Sequence, residues 1–109
     1  MRVHANDGLS AQAKASLTEQ DFKVTTDHVP QDHLADFINK ERIDVLLVRS
    51  ATKVRRELID ACPGIKLIGR GGVGLDNIDV VYAKQKGIPV VNTPASSSIS
   101  VAELVIAHL

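Results

Sequence analysis

Aromatic residues are almost absent from this chain of 109 residues: Phe22, Phe37 and Tyr82 are the only three, and there is no tryptophan. That leaves no platform on which nucleic-acid bases could stack. Charge of one sign is missing too. Lysine plus arginine and aspartate plus glutamate number 13 each, so no net field draws the chain to nucleic acid or to anionic lipid. A single cysteine, Cys62, excludes an internal disulfide and a cysteine-based zinc cage. No apolar run approaches the ~20 residues of a membrane span. The first residues carry no apolar stretch of the kind a signal peptide needs. The expectation is a soluble, cytoplasmic domain with no nucleic-acid or membrane partner.

What is present is rhythm. Short β-branched stretches begin near Arg2, Phe22, Asp44, Lys66 and Pro89, each a little over twenty residues after the last. Continuous apolar runs such as Val45-Leu46-Leu47-Val48 suit strands buried on both faces of a parallel sheet. Between them lie segments with helical spacing. Leu9, Ala13 and Leu17 share one face, and Leu34, Phe37 and Ile38 another. Val54, Leu58 and Ala61 line a third, and Ile78, Val81 and Tyr82 a fourth. Ser10 is expected to cap the first helix, Pro30 to start the second and Thr52 to cap the third. Asp76 or Asn77 is expected to cap the fourth, and Gly87 with Pro89 to stop it. Alternation of this kind implies right-handed crossovers and a three-layer α/β sandwich. Five strands suggest a doubly wound, flavodoxin-like sheet of order 2-1-3-4-5.

Residues 99–109 differ. They are apolar nearly all round, broken only by Ser100, Glu103 and His108. A surface helix of a small domain should have one wet face. The expectation is a helix incompletely buried within its own chain, covered by a second copy or by further sequence.

Two segments carry candidate chemistry. Gly69-Arg70-Gly71-Gly72-Val73-Gly74 satisfies G-x-G-x-x-G, but it follows the fourth strand rather than the first. The next strand ends in Asn92 instead of an acid, and the following helix brings Asp76 and Asp79 to its start. The pattern is therefore not expected to hold a dinucleotide. Two readings stay open: glycines needed for a close backbone approach, or a nest of N–H groups over Gly71-Gly72-Val73 open to a small carboxylate. The second segment is Arg49-Ser50 with Thr52, where the third strand ends beside a helix start. A guanidinium, a hydroxyl and free N–H groups there amount to anion-binding chemistry.

Val48-Arg49-Ser50-Ala51-Thr52-Lys53-Val54, the run from Gly69 to Asp79, and Gly87-Ile88-Pro89-Val90-Val91-Asn92-Thr93-Pro94 followed by Ser100-Val101-Ala102-Glu103-Leu104 occur in that order. Together they resemble the signatures of the D-isomer-specific 2-hydroxyacid dehydrogenases, most nearly the D-3-phosphoglycerate dehydrogenases. The resemblance covers residues 48–109; the first forty or so fit in pattern only. It implies a two-domain NAD-dependent enzyme of serine synthesis, of which residues 1–98 are the substrate-binding domain and residues 99–109 the crossover helix into a cofactor domain. The catalytic arginine, glutamate and histidine would lie beyond this chain, leaving no catalytic residue in it and no activity in the isolated piece.

By position, the resemblance implies that Gly72 and Val73 offer N–H groups to the substrate carboxylate and that Val73 also approaches the nicotinamide. Arg49 and Ser50 would hold the phosphate of a small phosphorylated 2-hydroxy acid, and Asn92 would order the hinge and contact the substrate. Where many relatives carry an asparagine after Asn-Thr-Pro, this chain has Ser96-Ser97-Ser98, and no contact is assigned there. A glyoxylate or hydroxypyruvate reductase is the alternative within the family. The full-length protein is expected to be a homo-oligomer, with self-association through residues 99–109.

Other residues read more plainly. His28 and His33, beside Asp27 and Asp32, flank a helix start on different faces and read as solvated surface, not a metal site. Cys62, before Pro63-Gly64, reads as a buried small residue at a helix end. Lys53, Arg55 and Arg56 read as a solvated helix face. A receiver-type signalling module on the same fold would need paired acids, an aspartate and a lysine where Asn6-Asp7, Arg49 and Asn92 stand. A non-catalytic interaction domain remains as the reading of another class.

Overall fold

The Val45–Val48 run forms the central strand of the computed structural model, which describes residues 2–8, 11–49, 52–71 and 78–93. Of residues 12, 13, 16, 71, 92 and 93 it describes the backbone alone. The expectations for Ser10, Ser50, Gly72, Val73 and residues 99–109 lie outside the described residues.

Strands and helices alternate as β1 (Arg2–Ala5), α1 (Ala11–Glu19), β2 (Lys23–Thr25), α2 (Gln31–Glu41), β3 (Val45–Val48), α3 (Arg56–Ala61), β4 (Leu67–Gly71), α4 (Val80–Gln85) and β5 (Val90–Thr93). The strands are all parallel, in the order β2-β1-β3-β4-β5. This is the flavodoxin-like, doubly wound α/β fold. Side chains alternate across the sheet with period two. Val3, Ala5, Val45, Leu47, Leu67 and Val91 form one apolar cluster with Leu17 of α1 and Phe22. Leu46, Val48 and Ile68 form the other, with Leu34 and Ile38 of α2, Leu58 and Ile59 of α3, and Ala83 of α4. Helix α1 thus covers one face and α2 to α4 the opposite one. Among the described residues no helix is long and apolar enough to cross a membrane.

Local chemistry explains most boundaries. Pro30 stands at the N-cap of α2, where its missing N–H costs nothing, and Asp32 and Lys40 complement the helix dipole at its two ends. Gly87, at φ +78°, ends the turn after α4 in a conformation that other residues rarely adopt.

Two caps fall elsewhere than expected. Thr52 does not cap α3, which begins at Arg56, and Asp79 caps α4 in place of Asp76 or Asn77 by accepting from the Tyr82 amide at 3.1 Å. One long-range contact accounts for both. Val54 and Ile78 form a parallel β-bridge, and the Asp79 amide donates to the Val54 carbonyl at 2.8 Å. Holding both segments extended delays both helices. The helix faces shift with them. Ala61 is exposed and Val81 is 68% exposed, whereas Ile59 and Cys62 are buried on the α3 side and Ala83 on α4.

The strand order also fixes where a ligand can enter. From β1 the chain leaves to α1 on one face, and from β3 to α3 on the other. The carboxyl ends of β1 and β3 therefore part, leaving the crevice where open α/β sheets bind ligands.

Candidate functional site

At the end of β1 the chain turns through Ala5-Asn6-Asp7-Gly8. The Gly8 amide donates to the Ala5 carbonyl at 3.1 Å, and Gly8 has φ +88°. The turn leaves Asn6 buried between two loops. Asn6 Oδ1 accepts from the Val29 amide at 2.8 Å, while Nδ2 donates to the Val29 carbonyl at 3.1 Å and to Thr52 Oγ1 at 2.8 Å. One side chain thereby ties the β2–α2 loop to the β3–α3 loop.

His4 lies beneath it, fully buried, with its ring 4.6 Å from that of Phe37. Asn6 Oδ1 can only accept, so His4 Nε2, 3.0 Å away, carries the proton. His4 Nδ1 then accepts from Thr25 Oγ1 at 2.7 Å. Burial lowers the His4 pKa, against smaller opposing contributions from Asn6 and Asp27, and the ring is held neutral.

Asp7 is the other hub. Its Oδ2 accepts from the amides of Arg49 at 2.7 Å and Thr52 at 3.0 Å, and its Oδ1 accepts from Thr52 Oγ1 at 2.6 Å. Its side chain is only 4% exposed. His28, 62% exposed, donates from Nδ1 to the Asn6 carbonyl at 2.9 Å and lies 3.8 Å from Asp7 Oδ1. Gln31 clamps the same loop from α2: its Nε2 donates to the Lys53 carbonyl at 2.9 Å, and its Oε1 accepts from the Lys53 amide at 3.1 Å.

The sequence-derived candidates sit around this scaffold. Arg49 is exposed where β3 ends. Asn92 lies in β5 opposite Arg70 of β4, and Arg70 lies opposite Val48, so Arg49 and Asn92 share the carboxyl edge with β4 between them. Asn6, Asp7, Gln31 and the inward bond of His28 were not foreseen as parts of one site. Asn-Asp-Gly after an apolar strand signals a turn, but not which loops the turn will hold.

The glycine run resolves in part. Gly69 lies within β4, and a Cβ there would meet Leu47 Cδ2 at 2.7 Å, so the close-approach reading holds for this glycine. Strand β4 continues through Gly71, and α4 does not begin until Val80. Gly69 and Gly71 are therefore strand residues and not a helix N-terminus, while Gly72 and Gly74 lie outside the described residues. No three His, Cys, Asp or Glu side chains among them are placed to hold a metal. Cys62 is buried and its thiol pKa is pushed up to about 11, chiefly by burial and secondarily by Asp36, which makes it a poor nucleophile.

Arg49 and Asn92 thus stand at the carboxyl edge of the sheet, around a buried network of Asn6, Asp7 and Thr52. The model of the D-isomer specific 2-hydroxyacid dehydrogenase catalytic domain matches residues 3–107. The chain belongs to this family. It is 50% identical over 104 residues to a hydroxypyruvate reductase of Thermotoga maritima, a match covering 94% of this chain and 33% of that protein. Over 61 residues it is 64% identical to a D-3-phosphoglycerate dehydrogenase of Methanocaldococcus jannaschii, covering 56% of this chain and 12% of that one. Among solved structures it is similar to an NAD+-bound 3-phosphoglycerate dehydrogenase of Entamoeba histolytica, with TM-score 0.69 and 28% identity over 98% of this chain and 37% of that one. This 2-hydroxyacid dehydrogenase chain thus spans about a third of the length of the reductase.

Proposed function

We propose that the chain is the substrate-binding domain of an NAD-dependent D-3-phosphoglycerate dehydrogenase, which oxidises 3-phosphoglycerate to 3-phosphohydroxypyruvate. The observation that carries the reading is Arg49, exposed at the switch-point end of β3 with its own amide held by Asp7. A planar guanidinium on a rigid mount suits a phosphate, which it can engage with two parallel N–H bonds. Ser50 would add its hydroxyl, and Gly72 and Val73 their amides to the substrate carboxylate. Val73 would also face the nicotinamide, and Asn92 would order the hinge. NAD, held mainly by a second domain following residues 99–109, supplies the hydride acceptor. The residues of this chain bind and orient the acid. A homo-oligomer is proposed for the complete enzyme, as is a cytoplasmic location.

A second reading, hydroxypyruvate reductase, is favoured by the identity to the Thermotoga maritima enzyme along nearly the whole chain. The two substrates differ at the end that Arg49 would hold. The deciding measurement is kcat/KM of the complete enzyme on 3-phosphohydroxypyruvate and on hydroxypyruvate, before and after Arg49→Ala. Loss of a charge-assisted contact worth about 1.5–3 kcal/mol should lower the phosphorylated substrate's value about ten- to a hundred-fold and spare the other. Equal losses on both would reject phosphate recognition by Arg49. A wild-type preference for hydroxypyruvate would establish the second reading.

A further inference from the structure

The carboxylate of Asp7 is nearly sequestered from water, a costly placement unless donors surround it. Its bonds reach across the switch point to the loop after β3. The single oxygen Oδ2 accepts amides from both Arg49 and Thr52, bracketing the two residues between them, and Oδ1 takes the Thr52 hydroxyl. Thr52 Oγ1 is held in turn by Asn6 Nδ2. Bonds from N–H and O–H groups to an ionised acceptor are shorter and roughly twice as strong as neutral ones. An aspartate therefore grips this turn harder than an asparagine of the same size could. Because Asp7 faces inward, its charge is spent on the loop's own donors. Resting on the reading that Arg49 meets the anionic end of the substrate, we infer that Asp7 is a positioning residue: it holds Arg49 from the turn after the neighbouring strand β1, with Thr52 as its counterpart, and sets substrate affinity without touching substrate.

The test is steady-state kinetics of the complete enzyme in the reductive direction, with 3-phosphohydroxypyruvate and NADH. Asp7→Asn should raise KM for the oxo acid about ten-fold while kcat and KM for NADH stay within about two-fold. Thr52→Val, which keeps the shape and removes the hydroxyl, should move KM in the same direction. Thr52→Ser, which keeps the hydroxyl, should retain the wild-type value. Should Asp7→Asn fail to fold, the Thr52 pair decides. If Arg49→Ala raises KM while Asp7→Asn and Thr52→Val do not, the inference fails and the substrate site stands. If Arg49→Ala leaves KM unchanged, the site reading fails and takes the inference with it. A parallel fall in kcat and rise in both KM values would mark Asp7 as a purely structural residue and overturn the inference.

Discussion

The two ends of the sheet are tied by opposite means. At the amino end the Arg2 amide donates to Asp44 Oδ2 at 3.0 Å, the Arg2 guanidinium pairs with Glu41 at 3.3 Å, and Lys66 pairs with Asp44 at 3.6 Å. The Arg2 and Glu41 side chains are open to solvent by about two-fifths and that of Lys66 by 59%. At the carboxyl end Asn6, Asp7 and Thr52 are sequestered, and each is bonded to another loop. Exposed ion pairs contribute little because water and salt screen them. Buried networks carry high stakes, since an orphaned member cannot turn to solvent. The amino end has only to hold strands side by side. At the other end α1 and α3 depart from opposite faces, and the loops between them need a fixed spacing.

The largest expected effect breaks the hub at the carboxyl end. Asn6→Ala strips partners from the Val29 amide, the Val29 carbonyl and His4 Nε2, and should destabilise the protein by about 3 kcal/mol in urea denaturation. A loss below about 1 kcal/mol would make this end no different from the other.

Between the two ends, Gly69→Ala drives a Cβ to 2.7 Å from Leu47 Cδ2 and should cost about 1–2 kcal/mol. Leu47→Ala in the same molecule should relieve much of that cost, giving a measurable coupling in a double-mutant cycle.

A gentler test needs pH alone. The His4 pKa is lowered from its ordinary value of 6.5 in the folded state, so below that pH the unfolded chain binds a proton that the folded one refuses. Stability should be fully present above about pH 6.5 and decline as pH falls toward the folded pKa. His4→Gln should flatten that slope when unfolding free energy is compared at about pH 7.5 and about pH 5. An unchanged slope would mean the ring is not held neutral.

The smallest effect belongs to the amino end. Glu41→Gln should change stability by no more than about 0.5 kcal/mol, and about 1 M salt should erase the difference.

How far the sequence could be read follows from the range of the interactions. The five strands, their order and both apolar faces were legible because burial on a parallel sheet is written locally, in runs such as Val45–Val48 and in spacings such as Leu34 with Ile38. The first turn of α3 and the cap of α4 were not legible, because the Val54–Ile78 bridge joins segments that no local pattern links. Arg49 and Asn92 could be placed at one edge from strand ends alone. Asp7 could not, since its partners are forty-two and forty-five positions away along the chain. Its residue type suited a turn, and that reading concealed the clamp.

Cys62 gives this molecule a built-in reporter. Its thiol is wholly buried, donates to the Ala35 carbonyl at 3.7 Å, and is protonated at neutral pH. A thiol-reactive dye can label it only when α2 and α3 separate. Labelling rate against dye concentration would therefore time the opening of that seam in the native molecule, without any mutation and on the one layer of helices that does not include α1.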